Sequence, residues 1–148
     1  MTQREEARFK VYTKSRTVIS SKNTFPFNLI DFIEGDGTYD TSTYRYSVQN
    51  AGTYLLGLSY NKRNNNDNGS SFIRVGRVID GASTTIVISR SQFSASGNSS
   101  SFNVATTFEL EVGDEVWATG FFGNPVTNIS SYTSDDTLNS FWGIKLNY

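Results

Sequence analysis

The sequence predicts an all-β sandwich, on three observations. No stretch of the 148 residues sustains a helical period. Several stretches alternate apolar and polar residues with period two, and these are rich in Tyr, Phe, Val, Ile and Thr. Clusters of Gly, Asn, Asp and Ser separate them at the spacing of a sandwich, enough for about nine or ten strands.

Taken in order, Phe9 and Val11 alternate with Lys10. Tyr44, Tyr46 and Val48 are expected on one strand face, with Arg45 and Ser47 on the other. Tyr54, Leu56, Leu58 and Tyr60 line one face of the next strand, and Ile73 and Val75 flank Arg74. Ile86 and Ile88 flank Val87. Phe108, Leu110 and Val112 are expected to face one way, and Glu109 and Glu111 the other. The chain ends in Trp142, Ile144, Leu146 and Tyr148. Gly35-Asp36-Gly37 and Asn50-Ala51-Gly52 read as turns, because Gly supplies positive φ at no steric cost. Residues 64–71, 94–101 and 123–139 read as polar loops. Residues 1–8, with charges of both signs, read as a solvated arm, and residues 9–148 as one domain.

Composition narrows the function. Apolar residues are 36% of the chain, which is low, but aromatics are 14% and bury much area each, so a substantial core is expected. The net charge of −1 gives no field favouring nucleic acid or acidic lipid. No apolar run approaches the length of a membrane span, so no membrane insertion is expected. There is no Cys and no His. That removes Ser-His-Asp and Cys-His catalysis and the usual ligands of zinc, copper and haem. Carboxylates remain, and Glu109, Glu111, Asp114 and Glu115 are the candidates a glycosidase would need. Glu109 and Glu111 read instead as the solvent face of a strand, and Asp114 as a turn residue bonding backbone N–H groups. The chain is therefore read as no enzyme. No cofactor is expected. Calcium is the one metal the composition allows, through the loop oxygens of Asp36, Asp40, Asp135 and Asp136, which follow no EF-hand pattern. Asn68, Asn98 and Asn128 each open an N-glycosylation triplet in an expected loop. Tyr132, Phe121 and Phe122 border polar loops; an exposed ring beside Asp and Asn suits a sugar, and for Phe121 and Phe122 the competing reading is the end of a buried strand.

Three segments together resemble the globular C1q domain of the C1q/TNF family. The first is Gly-Asp-Gly-Thr-Tyr39-Asp40-Thr-Ser-Thr43-Tyr-Arg-Tyr46, followed by Val48 and Ala51-Gly52-Thr-Tyr54. The second is Leu110-Glu-Val-Gly113-Asp114-Glu-Val116-Trp117. The third is the closing Phe141-Trp-Gly143-Ile-Lys-Leu146. Order and spacing agree from about Phe9 to Leu146. The family usually has Gly where Tyr44 stands, Phe where Leu56 stands and a small residue where Trp142 stands. Gly52 and Gly113 fall where strands must turn, and Gly143, inside a strand, points to close approach of a backbone or a large ring.

The resemblance implies a ten-stranded jelly-roll β-sandwich, a homotrimer and a secreted protein. It implies a non-catalytic recognition domain that binds glycans or cell and pathogen surfaces through loops, in the manner of a lectin of innate immunity. The residues expected to contact ligand are Asn64, Asn65, Asn66, Asp67, Tyr132, Asp135 and Asp136. Two alternatives stand beside it: the structural or receptor-binding trimeric head of a viral or bacterial fibre or coat, and a cytokine-like ligand for a protein receptor.

Overall fold

The computed structural model describes residues 6–13, 18–19, 24–63, 69–93, 99–122, 126–128 and 139–146. Two antiparallel sheets face each other. The first is built from β1 (Arg8–Tyr12), β3 (Leu29–Glu34), β6 (Gly52–Arg63), β9 (Ser99–Leu110) and β12 (Ser140–Lys145), with the short β2 (Val18–Ile19) and β11 (Val126–Asn128). The second is built from β4 (Gly37–Asp40), β5 (Arg45–Val48), β7 (Gly69–Ile79), β8 (Ala82–Phe93) and β10 (Glu115–Phe122). Ten strands thus have four residues or more, and β2 and β11 are the short additions. No described residue is helical.

β6, which with β9 is one of the two longest strands of the first sheet, organises it. β6 pairs with β9 along its whole length on one edge. On its other edge β12 covers Tyr54 to Ser59, and β11 takes over at Lys62 and Arg63. β1 and then β3 continue the sheet beyond β12. The order is therefore β9-β6-β12-β1-β3, facing β4-β5-β10-β7-β8. Jelly rolls manage exposed edges by this double-sheet arrangement, and the long edge strands β8 and β9 run side by side across the gap between the sheets.

The core follows the period-two reading. Phe9, Val11, Tyr54, Leu56, Leu58 and Tyr60 from one sheet meet Tyr46, Val48, Ile73, Val75 and Val116 from the other, and all are buried. One ring pair bridges the sheets, Phe9 stacking on Tyr46 with centroids 4.0 Å apart, while within the first sheet Phe9 meets Phe141 edge-on at 5.2 Å. Phe25 and Phe27 come from the segment after β2 and pack on Tyr60. The Phe25 N–H donates to the Ala118 carbonyl, which ties that segment to the second sheet. Gly143 explains itself here, because a Cβ would lie 2.6 Å from Phe9 Cε1 and 2.7 Å from Leu56 Cδ2. The close approach of a ring expected from sequence is what the glycine accommodates.

Three expectations need correction. Tyr44 lies in the β4–β5 turn with φ of 60°, not on the strand face with Tyr46. Val112 is not on the face of Leu110: β9 ends at Leu110, and Val112 stands in the following turn, 62% exposed. The polar segments are also shorter than they read. Gly69, Ser70 and Ser71 belong to β7, Ser99 to Ser101 to β9, and Val126 to Asn128 to β11. Serine is a poor strand signal, yet Ser71 is fully buried because its neighbours on β8 and β10 impose the register.

Candidate functional site

Strand directions sort the connections onto two ends. At one end β6 closes at Arg63 beside Ser99, where β9 opens. Gly69, where β7 opens, pairs with Phe93 at the close of β8 and with Phe122 at the close of β10. The segments holding the expected ligand residues therefore leave from neighbouring strand ends. Asn64, Asn65, Asn66, Asp67, Tyr132, Asp135 and Asp136 themselves lie outside the described residues, as do Asn68 and Asn98. Asn128 is placed in β11, paired with Lys62. Phe121 and Phe122 end β10, as the buried-strand reading had it for their backbone.

Of the motif residues, Gly52, Tyr54, Gly113 and Asp114 gather at the opposite end, and the side chains of the motif have structural tasks. Tyr54 is buried and its hydroxyl donates to the Asn50 carbonyl at 2.7 Å, closing the β5–β6 turn. Lys145 Nζ donates to Asn50 Oδ1 at 2.9 Å from the end of β12. Tyr39 donates to the Phe27 carbonyl at 2.8 Å. Asp40 accepts from Ser42 N and Ser42 Oγ, an Asx turn that leads into Tyr44. Those bonds, the Ser42 hydroxyl foremost, hold the Asp40 carboxyl below its usual range.

Asp114 is the best-built charge. It is 2% exposed and accepts the Glu111 N–H at 2.8 Å, which closes the β9–β10 turn as its sequence position suggested. Gly113 carries the positive φ of 95° that this turn requires. Arg77, from the end of β7, donates Nε and Nη2 to the same carboxylate at 3.0 and 2.7 Å, and Nη2 also reaches the Glu109 carbonyl at 3.1 Å. The paired carboxylate holds the Arg77 proton more firmly still. Glu109 and Glu111 are exposed beside a shallow groove of about 500 Å³ that Arg77, Phe108 and Gly52 also line. Glu115 pairs with Arg45, whose guanidinium lies 3.7 Å over the Trp117 ring. Of the carboxylates named as catalytic candidates, Asp114 thus bonds a turn and Arg77, Glu115 pairs with Arg45, Glu111 is exposed 3.6 Å from Arg77, and Glu109 faces solvent. Asp36 and Asp40 join no metal-binding cluster among the described residues.

A third surface was not singled out from sequence. On the outer face of the first sheet, pairing registers set Ala105, Gly57, Trp142, Lys10 and Phe32 in one transverse row. Trp142 lies over Gly57, where a Cβ would collide with the indole. The parallel row holds Leu55 and Ile144. Phe32, Lys10, Arg8, Trp142 and Ile144 border a groove of about 360 Å³. The signal was present in part: Leu55 and Gly57 sit between core positions, so an apolar Leu55 marks a strand with both faces covered.

No protein-family model matches the chain, and no curated protein matches it in sequence. Solved structures do. Eiger TNF from S. frugiperda superposes with a TM-score of 0.74 at 14% identity, over 96% of this chain and 92% of its own. Murine APRIL at pH 5.0 gives 0.70 at 13% identity, covering 95% and 99%. The globular domain of zebrafish complement 1qA gives 0.69 at 13% identity, covering 95% and 98%. Identities this low speak for fold alone. The expected glycine position supports the same alignment of chain to fold, because Tyr44, standing where the family usually has Gly, adopts a φ of 60°. Two five-stranded layers in this order, with these neighbours, make the chain a C1q/TNF-like jelly roll.

Proposed function

We propose that the chain is a non-catalytic recognition domain that works outside the cell as a homotrimer. The observation that carries the reading is the apolar strip on the outer face of the first sheet: Phe32, Leu55, Trp142 and Ile144, with small residues Gly57 and Ala105 beside them. Single exposed apolar residues are ordinary, but a contiguous strip calls for cover. The resemblance stated above supplies the cover, a second and third copy closing around an axis. Light scattering is expected to give the mass of three chains. Trp142→Glu and Ile144→Lys, each placing a charge on the strip, are expected to give monomers with unchanged far-UV circular dichroism. A wild-type monomer at micromolar concentration overturns the reading.

Ligand contact is assigned to the end where β6, β8 and β10 close. The Asn-, Asp- and Tyr-containing segments leave there, and three copies would multiply a weak sugar affinity. A glycan array with and without calcium tests this. Selective binding lost when Asn64, Asn65, Asn66, Asp67, Tyr132, Asp135 and Asp136 are replaced by Ala or Ser supports the lectin reading. Binding by a trimer unchanged in that variant removes these residues from the site. The likeness to Eiger TNF and murine APRIL supports a second reading equally, a cytokine-like ligand for a protein receptor. It predicts a trimer indifferent to free sugars.

A further inference from the structure

The outer face of the second sheet carries rings and guanidinium groups side by side. Ser71, Ile73 and Val75 of β7 point into the core, so Phe72, Arg74 and Gly76 face outward. Pairing sets Thr119 and Arg90 on either side of Phe72, and Trp117 and Val87 on either side of Arg74. Val87 and Arg90 are three positions apart, a spacing that turns two residues of a regular strand to opposite faces. The ladder between β7 and β8 skips Ile88, and this bulge brings both to the outer face while Ile86 and Ile88 pack on the core. A bulge re-aims a side chain, and the one re-aimed here is a cation.

The charges on this face do not cancel. Arg45 lies over the Trp117 ring and pairs with Glu115 at 3.3 Å. Arg74 and Arg90 meet no carboxylate among the described residues. Arg74 is nonetheless held in place: Nε donates to the Thr119 hydroxyl at 2.6 Å, and the guanidinium carbon lies 5.1 Å from the Phe72 ring centroid. Thr119 is buried, so the acceptor itself is fixed. The terminal nitrogens of Arg74 stay unengaged among the described residues, and Arg90 is exposed across the strand pair. Diagonal neighbours on paired strands stand about 7–8 Å apart, within reach of two arginine forks for one small anion. We propose that Arg74 and Arg90 form a binding site for a tetrahedral oxyanion, the sulfate or phosphate ester of a ligand whose organic body rests on the exposed Val87. Such a group offers enough oxygens for both guanidinium groups at once, and the fixed Arg74 loses little entropy in the capture. The chain's net charge of −1 supplies no general attraction for anions, so the capture is local. The site lies on a different sheet from the apolar strip and apart from the loop residues assigned above, and it depends on neither.

The test follows the arginine Nε–H signals of the isotopically labelled intact chain by NMR. Phenyl sulfate, phenyl phosphate and phenol are titrated at constant ionic strength, so that screening does not imitate binding. One or both esters are expected to shift the Arg74 and Arg90 signals saturably at millimolar concentration, and phenol to leave them in place. Saturation by the sulfate alone assigns the site to sulfate esters, and by the phosphate alone to phosphate esters. Arg90→Gln, a change at an exposed position, is expected to weaken binding by on the order of tenfold, as loss of a charge-assisted hydrogen bond does. Arg74→Lys keeps the charge but loses the fork, and a similar weakening is expected. Thr119→Val leaves both cations and frees Arg74 Nε, and is expected to weaken binding less than either. Absence of saturation with both esters, an affinity unchanged in Arg90→Gln, or the same shifts produced by chloride overturns the proposal. Circular dichroism on each variant separates loss of the site from loss of the fold, and Arg90→Gln decides if either of the other two misfolds.

Discussion

At the scale of single residues, two backbone positions show what the fold asks of a side chain. Tyr44 holds a left-handed conformation that costs a side chain about 1–2 kcal/mol. Replacing it by Gly removes that strain and adds unfolded-chain entropy of about 0.5–1 kcal/mol. Tyr44→Gly is therefore expected to leave the Tm unchanged or raise it slightly, and Tyr44→Val, β-branched at positive φ, to lower it. Gly143 shows the opposite case. Its backbone is ordinary but a ring and a methyl fill the space of a side chain, so Gly143→Ala is expected to destabilise by about 1–3 kcal/mol through overpacking. Denaturant unfolding of the three variants checks both statements. A Gly143→Ala protein as stable as the parent would mean that Phe9 and Leu56 yield freely.

At the scale of elements, the strands most legible in sequence were those with strict alternation. β6 is the clearest, since Tyr54, Leu56, Leu58 and Tyr60 are all buried as read. β3 and β4 escaped because their apolar residues are only half-buried and their pattern breaks at the β1–β3 register shift. The β7–β8 turn carries Asp80-Gly81, a strong hairpin signal that the strand reading around Ile73 and Val75 did not reach, and Val78 and Ile79 beside it are exposed because β10 ends its pairing at Gly76. The outer apolar strip was hidden because a row across five strands has no signature along any one of them. The Arg77–Asp114 pair was half legible. Asp114 announced the turn, while its arginine comes from 37 residues away. Asp114→Asn keeps the Glu111 N–H bond but takes from Arg77 its buried counter-charge, leaving only the exposed Glu111 carboxylate at 3.6 Å. A loss of about 3 kcal/mol is expected. A double-mutant cycle with Arg77→Met is expected to return a coupling of about 1–3 kcal/mol. Strict additivity would show the hairpin base to be held by something else.

At the scale of the whole molecule, the core is built around phenols, and this sets its response to base. Tyr39, Tyr46, Tyr54 and Tyr60 all have their pKa values raised, chiefly by burial. Tyr46 is pushed up to about 12, with Asp36 adding to the effect of burial. Its hydroxyl has no hydrogen-bond partner and lies against Gly37. A phenol whose folded pKa exceeds its unfolded value of about 10 keeps its proton longer in the native state. Its contribution is complete below about pH 10 and is lost as pH rises through the folded pKa, at about 1.4 kcal/mol per pH unit per group. Stability is therefore expected to be flat with respect to these groups from neutrality to about pH 9 and to fall steeply above about pH 10, several phenols acting together. Phenolate absorbance should then rise in step with loss of near-UV circular dichroism. Tyr46→Phe removes one of the titrating groups and an unsatisfied hydroxyl whose burial costs about 1–3 kcal/mol. That variant is expected to be at least as stable as the parent at pH 7 and to lose stability less steeply at pH 11. Phenolate appearing at about pH 10 with the native signal intact would mean that the rings joining the two sheets are open to solvent, and that the sandwich does not rest on them.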